Sequence, residues 1–363
     1  MRIRSILDAI EDFAPRALQE SYDNAGLQAG DATNDCTGVL LTLDVSERTV
    51  DEARERGCNL IVSHHPLLFK GVKTISPTTS TGRILIKAIK NDIAIYAAHT
   101  NLDNARNGVS YRMAAKLGLT NVQTLEPQQE TLVKIAVFVP DEYADKVAQA
   151  LFEAGAGEIG DYKSCCYRTK GIGSFEPNEN ANPFIGNNGE ICHTEETKIE
   201  VIIPAWKADR AIRNMIAAHP YEEPAFDVFP LKNADSYSGS GVVGDIEPIQ
   251  LEELLNKTKS IFNVGAIRFA GNKEQMVQRV ALCGGSGAFL IGNAIASGAD
   301  LYITGDVKYH DFTTYEGQIA IADIGHYESE QCTKEIFYEI IQKKFPNFAT
   351  YFAETDTNPI NYL

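Results

Sequence analysis

Three short segments carry the residue types that bind divalent metal ions, and each directly follows an apolar run typical of a β-strand. They are His64-His65-Pro66, His99-Thr100-Asn101-Leu102-Asp103 and Gly325-His326-Tyr327-Glu328-Ser329-Glu330. In an open parallel α/β sheet, the ends of such strands line the crevice in which ligands bind. Imidazole nitrogens and carboxylate oxygens from distant parts of the chain are therefore predicted to converge on a two-metal site.

The two adjacent histidines need a turn if both are to reach this site. Neighbouring side chains on a continuous strand point to opposite faces, so only one of them would face the metals. Pro66 cannot donate to a sheet and restricts His65 to extended geometry, which predicts that the strand ends here. We expect His64 and His65 to splay from this turn, so that each can serve a different ion.

The carboxylates of the set have different predicted roles. A carboxylate has two oxygens and can bridge two ions, which makes Asp103 the candidate bridge. His326 and Glu330 are four residues apart and share one face if the last helix begins early. Two divalent ions bring four positive charges, whereas three neutral histidines and two carboxylates return two negative ones. The surplus favours bound hydroxide or an anionic substrate.

A structural interpretation competes with the metal site. A His-His-Pro turn by itself is more often a surface or core feature than a ligand pair, and the coincidence of three segments favours the metal.

Other motifs have weaker signals. Asp306, Lys308 and His310 follow another predicted strand. They could lie near the metals as supporting or proton-transfer groups, or they could form the solvated start of a helix. Gly284-Gly285-Ser286-Gly287 lacks the spacing of a phosphate-binding turn, because Leu290 stands at the third position, and indicates tight packing instead. The turn His219-Pro-Tyr-Glu-Glu-Pro224 could hold a further metal, but a loop between helix and strand explains it better.

The elements that must position these residues alternate between strand and helix. Val39 to Val45 predicts a strand, Ser46 caps a helix that ends at Gly57, and Cys58 to Ser63 predicts the next strand. The alternation returns from Arg279 onward. The predicted fold class is α/β with doubly wound, mostly parallel sheets.

The middle of the chain follows a different order, βαββαβ, which predicts an inserted ferredoxin-like α+β domain over residues 127–236. Polar segments over 126–130 and 233–240 flank it as expected for linkers. Residues 1–126 and 237–363 are predicted to form one discontinuous α/β domain that carries both metals.

Composition narrows the partners and the location. The chain has 363 residues, 44% of them hydrophobic, and can bury a large core. Its net charge of -16 opposes nucleic-acid binding. The first residues predict an amphipathic helix too polar for a signal peptide, and no run is apolar enough to span a membrane, so we expect a cytoplasmic protein. Seven cysteines without a Cys-x-x-Cys spacing argue against a disulfide framework and a zinc ribbon.

Together with Asp23-Asn24-Ala25-Gly26-Leu27, the metal-binding motifs resemble the NIF-three-like dinuclear metal family, whose members are named GTP cyclohydrolase type 2 homologs. The segment from His219 to Pro224 resembles the PII/CutA-like insertion of its longer bacterial members. The resemblance implies a toroidal homohexamer whose metal pairs face an internal cavity. It also implies a set of five metal ligands, which are His64, His65, Asp103, His326 and Glu330.

The function that these inferences predict is hydrolysis of a nucleotide-like anion with two divalent metal ions per chain. The version closest to the resemblance is GTP cyclohydrolase chemistry, in which activated water attacks the purine C8 carbon while His99 or His310 transfers protons. Phosphoester hydrolysis would use the same ions, and a metal-binding regulatory or scaffold protein without catalysis is the non-enzymatic alternative. Mixed histidine and carboxylate ligation suits zinc, iron, manganese or nickel.

Overall fold

The structure, a computed structural model, describes residues 1–363. The chain divides into two compact units, one made of Met1–Pro127 with Ser236–Leu363 and the other of Gln128–Asp235. None of its helices combines the length and apolar character needed to cross a bilayer.

The first outer segment alternates helices and strands. Its elements are α1 (Ile3–Phe13), β1 (Gly26–Ala29), β2 (Val39–Thr42), α2 (Glu47–Glu55), β3 (Leu60–Ser63), α3 (Ser80–Lys90), β4 (Ala94–Ala97), α4 (Thr100–Asp103), α5 (Val109–Leu117) and β5 (Thr120–Gln128). Helix α2 begins and ends where the sequence predicts. The Ser46 hydroxyl accepts a hydrogen bond from the Thr49 backbone N–H, and Gly57 adopts the left-handed conformation that follows a helix end.

The inserted unit is a four-stranded antiparallel sheet with two helices on one face. Its elements are β6 (Leu132–Pro140), α6 (Ala144–Glu153), β7 (Tyr167–Phe175), β8 (Cys192–Pro204), α7 (Ala205–Ala218) and β9 (Phe226–Pro230). The strand order β7-β8-β6-β9 is that of the predicted ferredoxin-like module. Odd-numbered residues of β6 and β8, such as Ile135 and Ile199, pack against the helices, which leaves the even-numbered ones on the opposite face.

The second outer segment resumes the alternation. Its elements are β10 (Asp235–Gln250), α8 (Leu251–Ile261), β11 (Arg268–Ala270), β12 (Met276–Ser286), α9 (Ile291–Ala296), β13 (Leu301–Gly305), α10 (Tyr309–Thr314), β14 (Ala320–Asp323), α11 (His326–Glu330), α12 (Thr333–Lys344) and β15 (Thr350–Phe352).

The two outer segments build two mixed sheets with parallel centres. One sheet has the order β1-β4-β3-β2-β15, in which only β1 is antiparallel to its neighbour. The other has the order β11-β14-β13-β12-β10-β5, with β12, β13 and β14 parallel and β10 and β11 antiparallel. Strand β15 comes from the end of the chain and completes the first sheet, so the outer segments form one unit.

The two polar flanks predicted as linkers contain strand residues as well as the boundaries between the two units. Strand β5 extends to Gln128 and β10 begins at Asp235, so sheet residues occupy much of both polar flanks. The start of β10 reads Asp-Ser-Tyr-Ser-Gly-Ser, residue types with weak strand preference. The pairing of β10 with β12 begins only at Val242, and the other neighbour of β10 in the sheet is β5.

Candidate metal centre

Six side chains converge beyond the carboxyl ends of β3, β4 and β14. They form three overlapping groups whose donor atoms lie within 4.8 Å of one another, namely His64-His65-His99, His65-His326-Glu330 and His64-Asp103-Glu330. The five residues predicted as ligands all belong to these groups. His99, predicted to transfer protons, lies among them.

The turn after β3 delivers both adjacent histidines to the cluster. Strand β3 ends at Ser63, whose hydroxyl donates to the His65 carbonyl at 2.9 Å. The rings of His64 and His65 lie 5.0 Å apart between centroids and are tilted by 45°. Because the strand ends before His64, both imidazoles can lie in the same cluster.

Each imidazole of the cluster is held at Nδ1 by a hydrogen-bond acceptor. The acceptors are the Ala98 carbonyl for His64 at 2.9 Å, Asp44 for His65 at 2.7 Å, Asp23 for His99 at 2.8 Å and Asp306 for His326 at 2.7 Å. Because these oxygens only accept, every Nδ1 carries a proton and every Nε2 remains for the cluster. Histidines that bind metals characteristically donate their other ring N–H to a carboxylate or a carbonyl in this way.

Two buried polar atoms in the cluster have no hydrogen-bond partner. They are His64 Nε2 and Asp103 Oδ1, which lie 3.6 Å apart. An unpaired buried polar atom costs about 1–3 kcal/mol, so both atoms call for a further bonding partner. A divalent ion would satisfy both, and the donor set of nitrogen and oxygen atoms fits one.

Glu330 lies between the two groups that contain a carboxylate. Its Oε1 is 3.5 Å from His64 Nε2, whereas its Oε2 is 2.9 Å from His65 Nε2 and 3.1 Å from His326 Nε2. Helix α11 begins at His326, so His326 and Glu330 share one helical face. Glu330 belongs to both groups that contain a carboxylate, whereas Asp103 belongs to one.

The protonation pattern of the cluster follows from burial and from these contacts. Burial lowers the pKa of His64. Burial would also lower the pKa of His65, but hydrogen bonds to Asp44 and Glu330 raise it to about 10. In the same way Glu330 and Asp306 raise the pKa of His326 to about 9 against the effect of burial.

The two carboxyl groups are driven in opposite directions. Burial, reinforced by the charge of Glu330, raises the pKa of Asp103 well above its usual range. Burial would raise the pKa of Glu330 as well, but the surrounding imidazoles hold it well below its usual range. A divalent ion would therefore compete with protons for these groups.

A glycine turn leaves the room that Glu330 occupies. Gly285 has φ +62°, and a Cβ added there would lie 2.1 Å from Glu330 Oε1. Its backbone N–H donates to the Ser329 hydroxyl at 2.9 Å, which fixes the turn against α11. The glycine run was predicted to allow tight packing, and at Gly285 it does so against the carboxylate of Glu330.

His310 lies outside the cluster. It is exposed in the first turn of α10 and belongs to none of the three groups. Of the residues that follow β13, Asp306 is the one that contacts the cluster, through the hydrogen bond to His326 described above.

Sequence reasoning missed Asp44 and the specific role of Asp23. Asp44 follows the end of β2, the same placement that identified the ligands after β3 and β4. Burial would raise the pKa of Asp23, but hydrogen bonds from His99 and Thr100 lower it to about 2. Each of these carboxylates accepts a hydrogen bond from Nδ1 of a cluster histidine.

Comparison with known proteins identifies the family. A model of the Duf34/NIF3 (NGG1p interacting factor 3) family matches residues 1–359. The chain belongs to the Duf34/NIF3 family. A relative from Halalkalibacterium halodurans, named GTP cyclohydrolase 1 type 2 homolog, is 38% identical over 366 residues, which cover 99% of this chain and 98% of the relative.

Solved structures of Duf34/NIF3 proteins agree with the observed fold. The crystal structure of a Bacillus cereus protein related to NIF3 is 37% identical, has a TM-score of 0.89 and covers 100% of this chain and 99% of its own. Staphylococcus aureus protein SA1388 is 31% identical with a TM-score of 0.78, and the match covers 100% of this chain and 99% of SA1388. The resemblance inferred from the motifs and the α/β fold class are confirmed.

Proposed function

We propose that this protein is a metal-dependent hydrolase that binds two divalent ions per chain and acts on a nucleotide-like substrate. One ion would be held by His64, Asp103 and Glu330, and the other by His65, His326 and Glu330. The observation that carries the proposal is the arrangement of the imidazoles, each fixed at Nδ1 by an acceptor around the carboxylates of Asp103 and Glu330. Zinc, iron, manganese and nickel all suit this donor set.

Bound divalent ions would lower the pKa of a water molecule and polarise the substrate. The chain's own residues would fix the geometry. Asp44 and Asp306 hold the rings of His65 and His326, and the Gly285 turn holds Glu330 in place. This fixed arrangement is what a hydrolytic site needs, because its groups are oriented before the substrate arrives.

His99 is the proposed proton-transfer residue. Its group within the cluster contains only histidines, whereas the other two groups each contain a carboxylate. The carboxylate of Asp23 accepts from its Nδ1 at 2.8 Å and would stabilise the imidazolium that forms when Nε2 takes a proton. His310, exposed and outside the cluster, lacks such a partner among the cluster residues.

An exposed aromatic pair beside His99 supports a substrate with a planar ring. The ring centroid of Phe69 lies 6.0 Å from that of His99 and 6.3 Å from that of Tyr22. The Asn24 amide donates to the Leu68 carbonyl at 2.7 Å and so anchors the loop that carries Phe69. A nucleobase can stack on such rings. This feature favours a nucleotide over a simple phosphoester.

The charge of the site does not by itself favour an anion. The sequence-based count left two positive charges, but it omitted the outer carboxylates of Asp23, Asp44 and Asp306. With them, four positive charges of the ions face five carboxylates. The nucleotide-like substrate is therefore supported by the aromatic pair and by the name of the relatives, GTP cyclohydrolase 1 type 2 homolog.

The proposal extends to assembly and location, where the family resemblance is the support. We expect a homohexamer in the cytoplasm, with a solution mass six times the 39.8 kDa of the chain. Light scattering of the purified protein measures this mass directly. A monomeric mass at every concentration would contradict the hexamer and leave the metal site unaffected.

The test of the function is metal analysis followed by turnover. Protein purified without chelators should contain two divalent ions per chain and should convert GTP or a related nucleotide only when metal-loaded. Two bound ions without metal-dependent turnover of any nucleotide or phosphoester would replace the hydrolase by a metal-binding regulatory or scaffold protein.

A further inference from the structure

The inserted unit contains a cavity of about 580 Å³ that none of the metal-cluster residues lines. Its floor is the face of the sheet opposite α6 and α7, where the even-numbered residues Phe138, Glu196 and Lys198 point away from the helical core. Residues of the loops 177–185 and 221–225 complete the wall. The volume lies within the range of about 300–1,000 Å³ that is typical of small-molecule sites.

Two glycines of β7 keep this space open. A Cβ added at Gly173 would lie 2.3 Å from Glu196 Oε2, so glycine is what lets the carboxylate lie across the strand. A Cβ at Gly171 would meet no atom within 4 Å, so Gly171 borders open space. Glycine weakens a strand, and here it leaves room beside a carboxylate.

A nearly buried carboxylate in the wall is held by a tyrosine. Glu196 is 9% exposed, and its Oε1 accepts a hydrogen bond from the Tyr221 hydroxyl at 2.9 Å. The Tyr221 backbone N–H donates to His219 Nδ1 at 3.0 Å, and His219 Nε2 donates to the Phe138 carbonyl at 2.9 Å. The segment from His219 to Pro224 thus positions Tyr221 against Glu196, and its histidine has no free nitrogen for a metal.

Aromatic rings form much of the remaining wall. The ring centroid of Tyr221 lies 5.9 Å from that of Phe175 and 6.3 Å from that of Phe184. Phe184 is 47% exposed although it lines the cavity, so a ligand could cover apolar surface that is now in water. Rings in this arrangement can stack against a planar ligand.

The charges around the cavity do not favour an anion. Its two cations are already paired, Lys170 with Asp141 at 2.5 Å and Lys198 with Glu200 at 3.4 Å. Three carboxylates line it, those of Glu196, Glu222 and Glu223. Such a lining offers acceptors to a ligand that carries N–H donors and repels phosphate groups.

We propose that this cavity is a second ligand site, which binds an uncharged, amino-substituted nitrogen heterocycle of the purine type. The ring would stack beside Phe175, Phe184 and Tyr221, and its N–H groups would donate to Glu196. The site lies within the inserted unit and is independent of the hydrolase proposal. It would give the inserted unit a sensing role.

The experiment uses the full-length protein and 2-aminopurine riboside, whose fluorescence falls when its ring stacks on an aromatic side chain. We expect saturable quenching that guanosine or adenosine reverses and that their triphosphates reverse more weakly. Glu196→Gln should weaken binding about 10- to 100-fold, because it removes a charged hydrogen-bond acceptor. Gly173→Val should abolish binding by displacing the Glu196 side chain.

Matched variants separate this cavity from other sites. Glu153→Gln removes an exposed carboxylate on α6, which packs on the other face of the sheet, and should bind normally, as should the metal-cluster variant Asp103→Asn. If Gly173→Val fails to fold by circular dichroism, Phe184→Ala replaces it and should weaken binding through lost stacking. No saturable quenching, or equal binding by wild type and Glu196→Gln, would overturn the proposal. A Gly173→Val variant that loses self-association and shows no change in ligand binding would also overturn it, by assigning the cavity to another copy of the chain.

Discussion

The metal cluster and the inserted cavity both place a buried carboxylate near a histidine, yet their histidines are used in different ways. At His65 and His326, an aspartate accepts from Nδ1 and Nε2 points to Glu330. At His219, both ring nitrogens are bonded within the loop. A histidine is available as a metal ligand only when one nitrogen is fixed and the other is left for the ion, and this difference separates the two regions.

The largest effect that would test this contrast is the loss of Glu330. Glu330→Ala should remove both ions and all metal-dependent turnover, because this residue belongs to both groups that contain a carboxylate. Atomic absorption of the purified variant measures the ions. Glu328→Gln is the matched control on the same helix, since Glu328 is buried but belongs to no group, and it should retain the metal. If Glu330→Ala still binds two ions, Glu330 does not bridge them.

A slightly smaller effect is expected when a side chain at Gly285 fills the space that the Glu330 carboxylate occupies. Gly285→Ala should displace the carboxylate and sharply reduce metal content, given the 2.1 Å approach to Oε1. Gly298→Ala controls for backbone strain, because Gly298 also has positive φ, +73°, but no neighbour within 4 Å of the added Cβ. Both variants should lose about 1–2 kcal/mol of folding free energy from the left-handed conformation, and only the first should lose metal. Equal metal content in the two would show that Gly285 matters for the backbone alone.

The two candidate proton-transfer histidines should differ in rate. His99→Ala should lower kcat about 10²- to 10⁴-fold if His99 moves a proton, whereas His310→Ala should remain near wild type because the residue is exposed outside the cluster. Steady-state kinetics at fixed metal loading compares them. A rate loss confined to His310→Ala would restore the role that the sequence assigned to that residue.

An intermediate effect is expected from the carboxylates behind the histidines. Asp44→Asn keeps the shape of the side chain but weakens the acceptor at His65 Nδ1, and metal affinity should fall about 10- to 100-fold. Competition with a chelating dye measures the affinity. Asp51→Asn, at an aspartate that pairs with Lys87 away from the cluster, should leave the affinity unchanged. An unchanged affinity in Asp44→Asn would mean that the ring of His65 needs no such partner.

The smallest expected effect on the metal site is that of removing the inserted unit. We propose that residues 128–235 form a separable domain, as the division into compact units supports. Within the outer unit, the Thr124 hydroxyl donates to the Ser236 carbonyl at 3.0 Å, so a short glycine-serine linker can join the cut ends. The deletion variant should retain two ions per chain and lose the part of 2-aminopurine riboside binding that depends on Glu196. A folded variant without metal would show that the domains depend on each other.

Part of the metal cluster could be predicted from sequence because strand ends in a parallel sheet lie at one edge. That rule brings His64 and His99 together, since they follow the neighbouring strands β3 and β4. His326 follows β14 of the other sheet, so its place in the cluster depends on how the two sheets meet, which the rule does not predict. The carboxylates behind the histidines follow no such rule. Any acceptor near Nδ1 can serve, and Asp23 stands 76 residues before His99 in the chain.

The inserted cavity could not be predicted for a related reason. Its floor comes from strands that the sequence identifies, but its wall depends on how residues 176–191 fold over the sheet. That segment is rich in Asn and Gly and has no periodic apolar pattern. The motif from His219 to Pro224 was correctly interpreted as structural, although its purpose, holding Tyr221 against Glu196, required the three-dimensional contacts.

The most direct test of the metal centre is an anomalous-scattering map from crystals of the manganese- or zinc-loaded protein. The account predicts two peaks about 3.5–4 Å apart, with Glu330 contacting both. One peak should lie about 2.0–2.2 Å from His64 Nε2 and the other at the same distance from the Nε2 atoms of His65 and His326. A map without a peak among these residues, or with a single ion that Glu330 does not touch, would contradict it.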